Sequence, residues 1–118
     1  MGDYTEDVSD FHAVLGGVAP TIPRLVLSHN PDAAEDANLI AARHRIDLMI
    51  CGHTHGGQAW IPGLGRPVVP SRYGQKYAYG SVRGPVCDVY ICAGIGTSIL
   101  PMRFEVPPEI NVIELRCT

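Results

Sequence analysis

The sequence predicts an α/β fold (in the broader sense α+β) that is built on a strand–helix–strand unit and followed by C-terminal strands. Two short apolar runs, at residues 24–28 and 47–51, flank a segment with helical periodicity. Two further runs, at residues 86–93 and 110–115, have the composition of strands. Because a helical crossover makes the strands that it joins parallel, we expect the first two runs to lie in one sheet.

Length and composition fit a single small domain over residues 1–118. Of the 118 residues, 46% are hydrophobic and 18% are charged, which suits a globular chain with a modest core. The net charge is −3 and no block of Lys and Arg occurs, which disfavours nucleic acid as a partner. No apolar run approaches the roughly 20 residues of a transmembrane segment. The acidic first residues do not resemble a signal peptide.

The cysteines give a weak indication of the cellular compartment. Cys51, Cys87, Cys92 and Cys117 contain no Cys-x-x-Cys pair, which argues against a structural zinc site. Three of them lie in apolar runs, where a free thiol behaves as a small hydrophobic residue. We interpret them as reduced core residues of a cytosolic-type protein, rather than as disulfides.

Two helices are predicted around the first strand. Residues 10–16 form a short helix with Asp10 as its N-cap and a glycine, Gly16 or Gly17, at its end. A second helix is predicted over about residues 33–44. Its apolar stripe would be Ala33, Ala37, Ile40 and Ala41. The histidines in these helices, His12 and His44, are interpreted as structural.

The stretch Cys51–Gln58 carries the strongest functional signal. His53 and His55 lie between glycines directly after the second strand, and His29 directly follows the first. Parallel strands end at one sheet edge, where ligands bind in open α/β sheets. We therefore expect the three imidazoles to converge there. Neutral imidazole is the commonest protein ligand for transition metals. A polar turn without metal is the alternative.

Residues 62–85 are rich in Gly and Pro and are predicted to form a long loop. The loop carries basic and aromatic residues, namely Arg66, Arg72, Lys76, Arg83, Tyr73, Tyr77 and Tyr79. They line a pocket for an anionic substrate, or they belong to a solvated loop with packing tyrosines. The sequence leaves both readings open. Further on, Gly94–Ser98 resembles a phosphate-binding glycine turn but fits no P-loop spacing.

Three motifs together resemble the C-terminal half of a calcineurin-like metallophosphoesterase, nearest to the bacterial phosphodiesterase-like branch. They are Leu27-Ser28-His29-Asn30-Pro31-Asp32, then Gly52-His53-Thr54-His55-Gly56-Gly57-Gln58, then Gly94–Ser98 with Pro101-Met102-Arg103-Phe104. The resemblance covers about residues 10–116. It implies part of a β-sandwich that is flanked by helices, and hydrolysis of phosphate mono- or diesters at two divalent metal ions.

The resemblance also implies roles for individual residues. His29 and His53 would bind one metal ion and His55 the other. Manganese, iron or zinc suits such imidazole and carboxylate ligands. In the two-metal template the ions lie about 3.5–4 Å apart and stabilise the attacking and leaving oxygens. Expected substrate contacts are Gly56, Gly57, Gly96 and Arg103.

The family's N-terminal motifs do not precede His29. Asp-x-His, Gly-Asp and Asn-His motifs would supply further ligands and the proton donor, and no residue of this chain is assigned that catalytic role. Residues 2–7 imitate Gly-Asp only superficially, and we interpret them as a turn. We therefore expect an N-terminally truncated domain, cytoplasmic or membrane-associated through a missing segment.

Truncation has two expected consequences. Three imidazoles without a bridging carboxylate would hold at most one ion, and weakly, unless Asp32 or another chain contributes oxygen. An uncovered sheet would favour self-association. The alternative function is a catalytically silent fragment, or a metal- or anion-binding module.

Overall fold

The computed structural model describes residues 10–116. Its strands are β1 (Leu25–Ser28), β2 (Leu48–Cys51), β3 (Gly80–Arg83) and β4 (Asp88–Ile91). They form one mixed sheet with the order β1–β2–β4–β3, in which only β3 runs antiparallel to its neighbour. The predicted α/β class and the parallel pairing of the first two strands are thus confirmed. The predicted turn at residues 2–7 and Cys117 lie outside the described residues.

The first helix forms as predicted. Helix α1 (Phe11–Leu15) begins after Asp10, whose carboxylate accepts a hydrogen bond of 2.9 Å from the N–H of Ala13. Gly16 follows as the C-cap. Phe11 and Leu15 are buried, because they lie four positions apart and so share the inward face of a helix.

The crossover between β1 and β2 differs from the single predicted helix. A 3-10 helix (Pro31–Glu35) is followed by helix α2 (Ala37–Ala42). Asp36 separates them in an extended conformation, and its carboxylate caps α2. This break shifts the helical phase, so only Ala33 of the predicted apolar stripe is buried, whereas Ala37, Ile40 and Ala41 are exposed. The other buried residues of these two helices are Pro31, Asp32, Ala34 and Leu39.

One face of the sheet packs on the helices and the other does not. Val26, Met49 and Val89 lie side by side on the packed face and are buried. On the opposite face Leu25 and Leu27 are 42% and 73% exposed. Self-association through this open face stays a prediction.

The cysteines within the described range match their predicted state. Cys51 and Cys87 are free and buried, and Cys92 is free and partly buried. Burial, together with the neighbouring Cys87, raises the pKa of Cys51 to about 12. The Cys51 thiol is therefore protonated near neutral pH.

Two of the predicted loop and strand assignments are wrong. The predicted loop 62–85 contains a 3-10 helix (Gly74–Tyr77) and strand β3, because the free edge of β4 offers a pairing partner. Residues 110–115 alternate apolar and polar side chains but form no strand, and Val112 is 94% exposed. Alternation alone does not make a strand where the segment meets no sheet edge. None of the helices in residues 10–116 is long and apolar enough to cross a bilayer.

Candidate functional site

The histidine turn begins where β2 ends and is fastened to the end of β1. The N–H of Gly52 donates to the carbonyl of His29 at 3.1 Å, which holds the two strand ends together. In the turn, His53 and His55 have φ values of 68° and 51°, in the left-handed region that non-glycine residues seldom adopt. Such strained residues persist only where surrounding contacts hold them, and they cluster at functional sites.

Thr54, between the two histidines, anchors the turn. Its side chain is buried, and its hydroxyl donates to the carbonyl of Ala78 at 2.9 Å. The flanking imidazoles line two different pockets, which define the two sides of the turn. His53, paired with His29, lines one, and His55 lines the other.

His29 and His53 form a close pair. The distance between His29 Nε2 and His53 Nδ1 is 3.0 Å, and the ring planes cross at 73°. Two nitrogens bound to one ion at about 2.0–2.1 Å, with an angle of roughly 90–110° at the metal, lie about 2.9–3.4 Å apart. The pair therefore fits two neighbouring positions on a single divalent ion. It equally fits a hydrogen bond between neutral imidazoles.

His55 lines the neighbouring pocket, and its convergence with this pair stays a prediction. Its Cε1 atom lies 3.8 Å from the position that a Cβ on Gly96 would take. Within residues 10–116 there is no group of three or more His, Cys, Asp or Glu side chains that could hold a metal ion. The further ligands of an ion on His29 and His53 would thus be water, oxygen atoms of the main chain or of other residue types, or groups outside these residues. Ligation by His55 stays a prediction.

A pocket of about 390 Å³ adjoins the pair, and most of its lining residues are of polar types: Asn30, Asp32, His53, Ser71 and Arg72, together with Val69 and Pro70. Asp32 is only 2% exposed, and its two carboxylate oxygens accept from Ser71 Oγ at 2.5 Å and from Arg72 N at 2.8 Å. Asp32 thereby fastens residues 71–72 beside His53. In the described structure the two oxygens of its carboxylate therefore accept hydrogen bonds from one hydroxyl group and one main-chain N–H.

A second pocket, of about 450 Å³, lies on the other side of the turn and has an apolar lining. His55 contributes to it together with Val68, Leu100, Met102 and Phe104. Gln58 holds the far wall of this pocket: its amide nitrogen donates to the carbonyls of Leu100 and Met102, and its amide oxygen accepts from the N–H of Ser98. Sequence reasoning missed this role of Gln58, although the residue closes the quoted histidine motif.

Arg103 links the histidine turn to the glycine turn. Its guanidinium donates to the carbonyls of Ala93 at 2.8 Å, Gly94 at 3.0 Å and His55 at 3.3 Å, and it also contacts Gly96. The Nη1 and Nη2 groups of Arg103 thus donate to main-chain carbonyls, so the observed role of Arg103 is to hold the two turns in place. Its expected contact with substrate stays a prediction.

The two glycines after His55 are required by close packing. A Cβ on Gly56 would lie 2.8 Å from Val106 Cγ1, and one on Gly57 would lie 3.0 Å from Arg66 Cβ. Both glycines also have positive φ. Larger residues would therefore displace the neighbouring walls. This packing does not test the expectation that Gly56, Gly57 and Gly96 contact the substrate, which stays a prediction.

Several side chains of the 62–85 segment pair with the protein itself. Glu35 accepts from Tyr77 at 2.6 Å and forms an ion pair with Lys76. Burial alone would raise the pKa of Glu35, but these hydrogen bonds outweigh it and lower the pKa below its ordinary value. Arg83 forms an ion pair with Asp88. For Lys76, Tyr77 and Arg83 the structure favours packing over a role in anion binding.

The chain is similar in sequence to three metallophosphoesterase and phosphodiesterase proteins of bacteria. It is 34% identical over 109 residues to the uncharacterized metallophosphoesterase YkuE of Bacillus subtilis (strain 168), which covers 92% of this chain and 36% of YkuE. It is 38% identical over 94 residues to phosphodiesterase YaeI of Escherichia coli (strain K12). This match covers 80% of this chain and 33% of YaeI. An uncharacterized metallophosphoesterase of Helicobacter pylori (strain ATCC 700392 / 26695) is 30% identical over 94 residues. This match covers 79% of this chain and 23% of that protein.

The chain belongs to the calcineurin-like metallophosphoesterase family. It spans about a third of the length of YkuE and YaeI. No family model matches it, and no solved structure matches it. Metallophosphoesterases are hydrolases that depend on divalent metal ions. In this chain the nitrogen atoms of His29 and His53 lie at a separation that would suit such an ion.

Proposed function

We propose that this chain carries histidine ligands of a metal-dependent phosphoesterase that hydrolyses phosphate mono- or diesters at a dinuclear metal site. The observation that carries the proposal is the 3.0 Å separation of His29 Nε2 and His53 Nδ1. His29 and His53 would hold one ion, and His55 would contribute to the second. When bound, such ions polarise phosphoryl oxygens and lower the pKa of bound water.

The protein's own residues would act by positioning these imidazoles. Thr54 fixes the turn between them through its bond to Ala78. The bond between Gly52 and His29 keeps the ends of β1 and β2 together. Positive φ at His53 and His55 supports the proposal as well, because a strained turn needs a functional or structural reason to persist.

Metal titration by calorimetry tests the proposal directly. We expect the chain to bind Mn²⁺ or Zn²⁺, and His53→Ala to weaken that binding at least tenfold, because one of two adjacent nitrogen ligands is lost. His12→Ala is the matched control: His12 is an exposed histidine whose ring lies near His44, away from the turn. Equal metal affinity of the wild-type chain and His53→Ala would contradict the proposal.

Turnover is measured separately with bis(p-nitrophenyl) phosphate and Mn²⁺. Hydrolysis that disappears in His53→Ala but persists in His12→Ala would support phosphoesterase activity of this chain. Hydrolysis that is unchanged in both variants would have another source, and it would count against the assigned residues.

Metal binding without turnover is the second candidate function. It is favoured because the described residues cluster only two imidazoles, and no third His, Cys, Asp or Glu side chain completes a metal-binding group among residues 10–116. Saturable metal binding that depends on His53, together with no hydrolysis above the metal-only rate, would select this candidate over the enzyme.

A further inference from the structure

We infer that the apolar pocket beside His55 binds the hydrocarbon or aromatic group of a phosphoester whose phosphate lies on the His29–His53 side of the turn. The inference rests on the proposed function for the phosphate end of the ligand only. For the apolar end it rests on the pocket itself, which can be tested without metal and without catalysis.

The first argument is the size and chemistry of the pocket. Its volume of about 450 Å³ falls in the range of sites that take small organic molecules. Several of its side chains are apolar and well exposed: Ile99 is 97% exposed, Val68 69% and Leu100 59%. Apolar side chains that converge on one exposed concavity, instead of being scattered, indicate an interaction site.

The second argument is that the pocket is held in shape by polar contacts behind it. Gln58 bonds to the main chain at Ser98, Leu100 and Met102. The N–H of Phe104 donates to the carbonyl of Gln58 at 2.8 Å, and the N–H of Trp60 donates to the carbonyl of Phe104 at 2.9 Å. A wall fixed in this way loses less conformational entropy when a ligand binds than a free loop would.

The third argument is the contrast in charge with the neighbouring pocket. Among the residues described, no Asp, Glu, Lys or Arg lines the apolar pocket, whereas Asp32 and Arg72 line the polar one. Pro70 lines both, so the two pockets adjoin. A phosphate would lose hydration in the apolar pocket without gaining a Lys or Arg partner there. A ligand that fills both pockets therefore has one polar and one apolar end.

Alkyl phosphates of increasing length test the apolar end. Calorimetry with the full chain would compare methyl, butyl and octyl phosphate, each below its micelle concentration. We expect octyl phosphate to bind at least tenfold more tightly than methyl phosphate, because several methylene groups leave water in the pocket. Equal affinities would overturn the inference.

Leu100→Asp and Val112→Asp form a matched pair of variants. Both replace an exposed apolar residue, and Val112 is not among the residues that line the pocket. We expect Leu100→Asp to abolish the dependence on chain length and Val112→Asp to retain it. Val68→Asp, on the opposite wall, gives an independent second variant. Dependence on chain length that survives both Leu100→Asp and Val68→Asp would overturn the inference.

Vesicles separate the two sources of such a ligand. Octyl phosphate represents a free ester, and vesicles of phosphatidic acid in phosphatidylcholine represent a membrane lipid. Vesicle binding that is lost in Leu100→Asp would assign the pocket to a lipid, and binding of the monomer alone would assign it to a small ester. Vesicle binding that survives Leu100→Asp, without any binding of the monomer, would be a surface effect and would overturn the inference.

The proposed function and this inference fail in different ways. If His53→Ala leaves metal binding unchanged but octyl phosphate still binds through Leu100, the metal proposal is wrong and the pocket stands. If metal binding depends on His53 but methyl and octyl phosphate bind alike, the pocket assignment is wrong and the metal proposal stands.

Discussion

The two sides of the histidine turn differ although His53 and His55 are only two positions apart in the sequence. On one side His53 meets His29, beside a pocket that Asp32 helps to form. On the other side His55 faces an apolar pocket. Thr54, buried between them, separates the two environments. The difference shows that the two imidazoles of a His-x-His motif can border pockets of different chemistry.

The two sides are also held by different kinds of contact. The apolar side depends on the guanidinium of Arg103, which binds several carbonyls at once. The polar side depends on the carboxylates of Asp32 and Glu35, which fasten the segment after residue 70. Substitutions at these three residues therefore test the two sides separately.

The largest effect is expected from Arg103→Met. Several buried or half-buried carbonyls lose a charged donor, so we expect the free energy of unfolding to fall by about 2–4 kcal/mol. Urea denaturation measures the change. Arg116→Met is the control: among the residues described, Arg116 pairs with the exposed Glu114, and its loss should leave the free energy of unfolding nearly unchanged.

Ligand binding by the same variant also tests whether the two sides of the turn are supported separately. Arg103→Met should weaken octyl phosphate binding more than metal binding at His53, because Arg103 braces the wall next to His55. If metal affinity and alkyl-chain binding fell together, the two sides would not be separately supported.

Asp32→Asn should have an intermediate effect on the polar side. The amide keeps one acceptor but replaces the other with a donor, which opposes either Ser71 Oγ or the N–H of Arg72. We expect a loss of about 1–2 kcal/mol in the free energy of unfolding, measured by urea denaturation. Asp88→Asn, at an exposed ion pair with Arg83, should change it by less than about 0.5 kcal/mol. Equal losses in the two variants would argue against a special role of Asp32.

The smallest effect is expected from Glu35 and appears as a pH dependence. The pKa of Glu35 is lowered in the folded chain, so its stabilising contribution is complete above the unfolded pKa of about 4.5 and is lost as pH falls through the folded value. Glu35→Gln should therefore flatten the stability profile below about pH 4.5, measured by thermal unfolding between pH 3 and 7.

Glu105→Gln is the control for that substitution, because Glu105 lies in an exposed loop. Its stability profile should follow that of the wild-type chain. If Glu35→Gln and the wild-type chain lost stability equally between pH 5 and 3, the contacts to Lys76 and Tyr77 would not stabilise the polar side.

Local and near-local features could be predicted from the sequence. Asp10 caps a helix because its carboxylate reaches an N–H three residues away. His29 and His53 pair because one helical crossover makes β1 and β2 parallel, so that residues following each strand share an edge. The helix stripe failed because a single extended residue, Asp36, changed the phase. The predicted strand at 110–115 failed because strand formation also needs a free partner edge.

Taken alone, the order of residues determined the α/β class, the strand crossover and the family, because each depends on periodicity, caps and motifs that are short in sequence. Only the tertiary structure decided that His53 and His55 line different pockets, that Arg103 binds carbonyls and that Gln58 shapes an apolar pocket. These features depend on positive φ angles at His53 and His55 and on bonds between residues some forty positions apart, such as that from Gln58 to Leu100. No local pattern encodes such contacts, since their energy exists only after the chain has brought distant segments together.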